Sequence, residues 1–191
     1  MRRLLFKNLI RGPLTETAPA VDAAGVAELA SVAEPAERGR LGRTISIRAV
    51  DAGSCNGCEL EIHALNNVLY DLERFGMRFV ASPRHADVLL VTGPVTANMR
   101  EALERTYDAT PHPKWVVAVG DCGRDGGVFA GSYACVGGVS AVLDVDLHIG
   151  GCPPSPSALL SGLLALLDRV ERGPAVDVRG PGDANAKAAG R

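Results

Sequence analysis

Aromatic residues are scarce in this chain of 191 residues, because Phe, Trp and Tyr together make up only 4% of it. The apolar interior must therefore be built from Val, Leu, Ile and Ala. Hydrophobic residues still reach 47% and charged residues 22%. This balance is typical of a packed globular domain.

Long hydrophobic runs and a strong excess of one charge are missing as well. No stretch approaches the ~18 consecutive apolar residues of a membrane-spanning helix. The net charge of −2, without a patch of lysine and arginine, gives no reason to expect a nucleic-acid partner. The first seven residues resemble a twin-arginine export signal, but Arg11, Pro13 and Glu16 stand where such a signal needs an apolar stretch. We therefore predict a cytoplasmic protein.

Composition divides the chain into three parts. Residues 1–40 are rich in Ala, Pro, Glu and Gly and predict a flexible or partner-binding arm, whose first eleven residues resemble a short amphipathic anchor. Residues 172–191 have the composition of a disordered tail. Residues 41–171 are predicted to form the folded domain.

Strand patterns alternate with helix patterns through this domain. The alternation predicts an α/β fold with a doubly wound parallel sheet and helices on both faces. One helix is predicted from an apolar stripe that Gly76 ends. The predicted strands are 44–50, 77–81, 87–91, 114–120 and 142–149, and the predicted helices are 59–75, 98–107 and 154–170.

Four of the five cysteines follow predicted strands. Cys55 and Cys58 come after the first strand, Cys122 comes two residues after the strand that ends at Gly120, and Cys152 comes three residues after the last strand. Ligands of open parallel sheets lie beyond the carboxyl ends of the strands. The topology therefore predicts that four thiols meet at one edge of the sheet.

The spacing of these cysteines leaves three kinds of chemistry open. Four thiolates suit either a structural zinc ion or an iron–sulfur cluster. Zinc ribbons usually present two Cys-x-x-Cys pairs, whereas this chain has one pair and then single cysteines 64 and 30 positions further on. The pair at Cys55 and Cys58 alone would suit a dithiol redox site, but that leaves Cys122 and Cys152 unexplained. Cys135, among Ala and Val, is interpreted as a small buried hydrophobe.

Glycines surround the four cysteines. They permit positive φ angles and a close approach of the backbone, so that N–H groups can point at sulfur atoms. Any one of them is equally consistent with a tight turn. The set comprises Gly53, Gly57, Gly120, Gly123, Gly126, Gly127, Gly150 and Gly151.

Several motifs resemble the 20 kDa subunit family of NADH:quinone oxidoreductase and its hydrogenase relatives. The resemblance runs from about residue 44 to about residue 170, with the motifs in the family's order. They are Ser82-Pro83-Arg84-His85-Ala86-Asp87, Val91-Thr92-Gly93-Pro94-Val95-Thr96, Gly120-Asp121-Cys122, Gly126-Gly127, Ser132-Tyr133 and Gly151-Cys152-Pro153-Pro154.

This resemblance implies a flavodoxin-like fold and one 4Fe–4S cluster on Cys55, Cys58, Cys122 and Cys152. It also implies a large catalytic subunit with a quinone pocket or a nickel–iron centre, a further iron–sulfur subunit and membrane subunits, so that the chain relays electrons on the inner face of the membrane and is not catalytic alone. Respiratory members carry adjacent cysteines at the first position. The intervening Asn56-Gly57 instead resembles the small subunits of group 4 membrane-bound hydrogenases, the group of formate hydrogenlyase.

Two acids follow the first cysteine pair. Glu59 and Glu61 fall in the first turns of the predicted helix, where acids are favoured by the helix dipole. An acid beside a redox cluster is also a candidate proton relay. Glu61 is the preferred candidate because it matches an acidic position of the respiratory branch. Arg84 and His85 are predicted to line an interface or to form a solvated turn.

Overall fold

A computed structural model describes residues 44–172 of the chain. The arm predicted at 1–40 lies outside the described residues, and so does the predicted tail apart from its first residue. No helix in the described part has the length and hydrophobicity that are needed to span a bilayer.

Five strands form a wholly parallel sheet in the order β2-β1-β3-β5-β7. This is the flavodoxin-like order, so the predicted doubly wound fold is confirmed. A second, two-stranded antiparallel sheet pairs β4 with β6. The strands are β1 (Ile45–Asp51), β2 (Met77–Phe79), β3 (Val88–Thr92), β4 (Val95–Thr96), β5 (Trp115–Val119), β6 (Cys135–Gly137) and β7 (Leu147–Ile149).

Helices and short 3-10 turns connect these strands. The helices are α1 (Gly57–Ala64), α2 (Ala97–Ala109), α3 (Gly120–Asp125) and α4 (Pro156–Arg172). The 3-10 turns are Leu72–Phe75, Pro83–His85, Gly127–Phe129 and Val139–Ala141.

Apolar side chains cover both faces of the sheet. In β3, Val88 and Leu90 join the core layer under α1 and α4, whereas Leu89 and Val91 join the layer that contains Leu103 of α2. Successive strand residues point to opposite faces, so a strand that is buried on both sides must be apolar throughout. The same reason explains the run Trp-Val-Val-Ala-Val of β5.

The helix predicted over 59–75 is wrong in its second half. α1 ends at Ala64, and a separate 3-10 turn begins at Leu72. Between them the side-chain Oδ1 of Asn67 accepts hydrogen bonds from the N–H groups of Leu69 and Tyr70, both at 2.9 Å. An asparagine that bonds its neighbours' backbone in this way competes with helix formation.

Three smaller differences affect the site. The last strand is only Leu147–Ile149, because residues 142–146 form turns and irregular structure instead of strand. β6 was not predicted. Cys122, predicted in a loop, lies in α3, which begins directly after β5.

The crevice of the sheet lies between β1 and β3, where the strand order reverses. Gly93, which follows β3, has φ +75° there, and a Cβ atom on it would lie 2.5 Å from the backbone N of Ser54. The loop after β1 is therefore held directly against the loop after β3. Such switch points are the usual ligand sites of doubly wound sheets.

Candidate functional site

The first cysteine pair is held by a tight loop between β1 and α1. The Oδ1 atom of Asp51 accepts the N–H groups of Gly53 and Ser54, each at 2.7 Å. Asn56 has a left-handed backbone with φ 70° immediately before the helix. This turn leaves Cys55 exposed and carries Cys58 into the first turn of α1, where it is half-buried.

Asp121 ties the other two cysteines together. Its backbone N–H donates to the carbonyl of Gly151 at 2.9 Å, and its Oδ1 accepts the N–H of Gly151 at 3.1 Å. Asp121 precedes Cys122 and Gly151 precedes Cys152, so these two bonds fix α3 against the loop after β7. This aspartate therefore shapes the turn that presents Cys122.

The four thiols influence one another electrostatically. Burial raises the pKa of Cys58 most, and together with the smaller effects of Glu59, Cys55, Cys122 and Cys152, in that order of size, it brings this pKa to about 12. The pKa of Cys122 is also raised, first by burial and then by Cys152, while a hydrogen bond from the backbone N–H of Val128 lowers it. The four thiols therefore lie within range of one another's charge.

Two glycines lie directly against these sulfur atoms. A Cβ atom on Gly120 would lie 2.8 Å from Sγ of Cys58, and a Cβ atom on Gly127 would lie 2.9 Å from Sγ of Cys122. Both backbones have positive φ, at +79° and +50°. A side chain at either position would fill the space beside the thiols.

The four thiols do not form a closed metal-binding geometry in this structure. No group of three or more His, Cys, Asp or Glu side chains within residues 44–172 is arranged to hold a metal ion. All five cysteines carry free thiols. Cys135 is half-buried in β6 and is not among the groups that raise the pKa of Cys58 or Cys122.

The acids of α1 differ in their surroundings. Both carboxylate oxygens of Glu59 are buried without a hydrogen-bond partner, and Glu59 supplies the acidic charge that acts on Cys58. Glu61 is half-buried two positions further along the helix. Sequence reasoning missed Arg48, whose Nε atom is also buried and unpartnered. A cation at the centre of a strand that also carries buried apolar residues was the signal that could have found it.

Arg84 and His85 lie at the opposite edge of the sheet from the thiols. They are exposed in the 3-10 turn before β3, at the amino end of the strand. With Arg78 and His112 they line a cavity of about 480 Å³. They therefore do not join the cysteine site.

The sequence pattern of one protein family, described as NADH ubiquinone oxidoreductase, 20 Kd subunit, matches residues 55–166. The chain belongs to this family. The match covers more than half of the chain, and the matched range contains all four cysteines. It confirms the family resemblance carried by the motifs.

Relatives of the chain occur in bacteria and archaea. It is 44% identical over 144 residues to formate hydrogenlyase subunit 7 of Escherichia coli, which covers 75% of this chain but only 56% of that protein. It is also 44% identical over 132 residues to the probable membrane-bound hydrogenase subunit mbhJ of Pyrococcus furiosus, covering 69% and 79% of the two chains. These relatives agree with the hydrogenase branch indicated by Asn56-Gly57.

Two solved structures share the fold. A chain of the archaeal membrane-bound sulfane sulfur reductase superposes with a TM-score of 0.62 and 35% identity, covering 70% of this chain and 73% of that one. A chain of an NAD⁺-reducing [NiFe]-hydrogenase superposes with a TM-score of 0.52 over 70% of this chain and 97% of that one. The second is 22% identical and therefore supports the fold alone. The chain therefore shares its family and its fold with subunits of oxidoreductase complexes.

Proposed function

We propose that this chain holds one 4Fe–4S cluster on Cys55, Cys58, Cys122 and Cys152 and relays electrons within a membrane-associated hydrogenase-type complex. The observation that carries the proposal is the placement of the four cysteines after three strand ends, where Gly120, two residues before Cys122, lies against the sulfur of Cys58 and Asp121 bonds Gly151 beside Cys152. Four thiolates gathered from three separate strand ends are a ligand set that iron–sulfur clusters use.

The space beside the thiols fits a bulky group. Gly120 and Gly127 keep side-chain atoms away from the sulfur atoms of Cys58 and Cys122. The backbone N–H of Val128 already donates to Cys122, and such bonds stabilise the negative charge of cluster sulfurs. The donor set and the glycine cradle therefore support a cluster.

The chain's own residues have defined tasks in this proposal. The four thiolates bind, Asp121 keeps Cys122 and Cys152 in register, and the core beneath α1 shields Cys58 from water. When bound, the cluster supplies one-electron redox chemistry. A thiol must lose its proton to bind iron as a thiolate, and its raised pKa keeps the Cys58 thiol protonated at neutral pH, so loading of the site would release a proton.

The reaction at the far end belongs to partner subunits. The relatives are named as subunits of formate hydrogenlyase and of a membrane-bound hydrogenase, which favours a nickel–iron large subunit, a further iron–sulfur subunit and membrane subunits as partners. We place the chain at the cytoplasmic face of the membrane through that complex. The alternative is the corresponding subunit of an NADH–quinone oxidoreductase with a quinone pocket, since the family description names that enzyme.

Glu61 is proposed as a proton relay near the cluster. Its half-buried position in α1, three residues after Cys58, is compatible with that role. In the purified complex, Glu61→Gln should change the pH profile of electron transfer while the iron content stays normal. An unchanged profile would show that Glu61 is a structural residue of the helix.

Anaerobic purification followed by iron, sulfide and zinc analysis tests the cluster. We expect about four irons and four sulfides per chain, the stoichiometry of this cluster type. Cys122→Ser should lose the cluster spectrum, whereas Cys135→Ser, the matched control outside the site, should keep it. A colourless protein with one zinc ion would instead establish the structural zinc reading. Dithiol activity that survives without Cys122 and Cys152 would establish an oxidoreductase of the Cys-x-x-Cys type.

A further inference from the structure

A notch opens where the short edge strand β2 ends. β2 pairs with β1 only from Ile45 to Ile47, while β1 continues to Asp51 against β3. The last bond between the two runs from the N–H of Val80 to the carbonyl of Ile47, at 2.8 Å. Beyond it lies a cavity of about 250 Å³, which we call the notch, and its lining includes Arg48, Ala49, Asp51, Glu59, Asn66 and Val80.

The backbone of Ala49 faces this notch. The N–H of Ile45 and the carbonyl of Ile47 both bond residues of the β2 side, whereas the carbonyl of Ser46 bonds Asp87 on the β3 side. Backbone groups of a parallel strand alternate between its two neighbours. Those of Ala49 therefore point toward the side that β2 has left, and no residue within 44–172 donates to or accepts from them there.

Two half-buried side chains that line the same notch carry buried polar atoms without a hydrogen-bond partner. Arg48 shares the strand face of Val50, and Glu59 rises from α1, which packs on the opposite face of the sheet. The Nε of Arg48 and both carboxylate oxygens of Glu59 are buried and unbonded. A buried charged group without hydrogen bonds is costly, so such groups in native proteins have a partner.

One kind of occupant meets all three requirements. A free cation would suit Glu59 but would be repelled by Arg48, and a free anion would be repelled by Glu59 and Asp51. An extended peptide can bond the backbone of Ala49 while its consecutive side chains point to opposite faces. It can thus present a donor to Glu59 and an acceptor to Arg48 at once.

We propose that the notch receives an extended segment of a partner subunit, which adds to the open edge of β1 as a short strand. One side chain of the segment donates a hydrogen bond to Glu59, and the next accepts one from Arg48. The proposal requires only that the chain is a subunit of a complex, and it does not depend on the identity of the metal group.

Hydrogen exchange at Ala49 tests the proposal. The full-length chain alone should exchange this amide rapidly, and the complex purified through a tag on this chain should exchange it at least about tenfold more slowly. Equal exchange in both samples would contradict the proposal, and so would protection already present in the isolated chain. The second result would mean that the chain's own residues outside 44–172 fill the notch. Iron is measured in both samples, so that a missing cluster cannot be mistaken for a missing segment.

Three variants separate docking from folding. Ala49→Pro removes the free N–H, and a strand tolerates proline at a position whose N–H is unpaired. The variant should weaken assembly at least about tenfold. Ala49→Ser keeps the N–H and should assemble normally. Arg48→Met should also weaken assembly, and it serves as the second probe if the proline variant fails to fold. As a separate measurement, a photoreactive side chain introduced at exposed Asn66 should crosslink to one continuous partner segment in the native complex. Normal assembly by both Ala49→Pro and Arg48→Met would mean that only ordered water fills the notch, and it would overturn the proposal.

Discussion

At Gly120 the backbone meets two requirements that any side chain would violate. Its φ of +79° lies in the left-handed region, and a Cβ atom would stand 2.8 Å from the sulfur of Cys58. The first requirement affects the stability of the fold, and the second affects the space beside the thiol. A matched pair of substitutions can separate the two.

Gly131 provides that match, because its φ of +78° is nearly the same and nothing lies within 4 Å of its Cβ position. Gly131→Ala should cost about 1–2 kcal/mol of unfolding free energy from backbone strain alone and keep its iron. Gly120→Ala should cost at least as much and should also bind less iron per chain. Urea unfolding and iron analysis measure the two effects. Equal iron content in both variants would contradict the cradle.

Asp121 is the second residue whose role can be measured. Asp121→Ala removes the bond to the N–H of Gly151 and a partly exposed ion pair with Arg124 at 3.6 Å, but it leaves the backbone bond between Asp121 and Gly151. We expect a loss of about 1 kcal/mol in stability and faster transfer of iron to a chelator, because the Cys152 loop is then held less firmly. The exposed Asp144→Ala serves as the control. Identical iron release from the two variants would show that Asp121 does not brace the site.

At the scale of elements, the sequence predicted the buried strands best. β3 and β5 are apolar throughout because helices cover both faces, and this pattern has few alternatives. The helix at 59–75 misled because Leu72 and Phe75 are buried at helical spacing from Ile62, although the chain between them is not helical. The side-chain bonds of Asn67 and the left-handed backbone of Asp71 take the chain out of the helix, and neither is visible in an apolar stripe.

Features built from long-range contacts were harder to predict. β6 is three residues long and depends on β4, which lies some forty positions earlier. The empty edge beside Ala49 exists only because β2 stops at Phe79, and sequence pattern gives strand ends poorly. The convergence of the cysteines was predictable because topology alone brings parallel strand ends to one edge.

α4 offers a test of the core layer beneath the site. Leu163 is 1% exposed in α4, within the layer that also holds Ile62 of α1. Leu163→Ala should lower the unfolding free energy by about 2–5 kcal/mol, the usual cost of a cavity in a tight core. Val68→Ala, at a side chain that is 100% exposed, should change it by less than about 0.5 kcal/mol. Chemical denaturation monitored by circular dichroism gives both values, and a small loss for Leu163→Ala would mean that α4 is not part of the cooperative core.

For the whole molecule, exposed apolar side chains are concentrated in one stretch. Residues 128–136, which come shortly after α3, carry four of them, and Tyr133 is fully exposed. The four are Val128, Phe129, Tyr133 and Val136. Isolated exposed apolar residues are ordinary, but several together are typical of a protein–protein interface. We infer that this stretch contacts a partner subunit near the thiols, on a part of the surface defined by different residues from the notch.

Tyr133 is the best single probe of that surface, because tyrosines often carry much of the binding energy of an interface. Tyr133→Ser should weaken association with the remaining subunits by about tenfold or more, which corresponds to ~1.4 kcal/mol. The unfolding free energy of the isolated chain should stay the same, since the side chain has no buried contacts to lose. Val68→Ser, an equally exposed position after α1, should leave both quantities unchanged. Titration of each variant into the complex that lacks this chain measures the affinity. Unaltered binding by Tyr133→Ser would show that the stretch from Val128 to Val136 is not part of the interface.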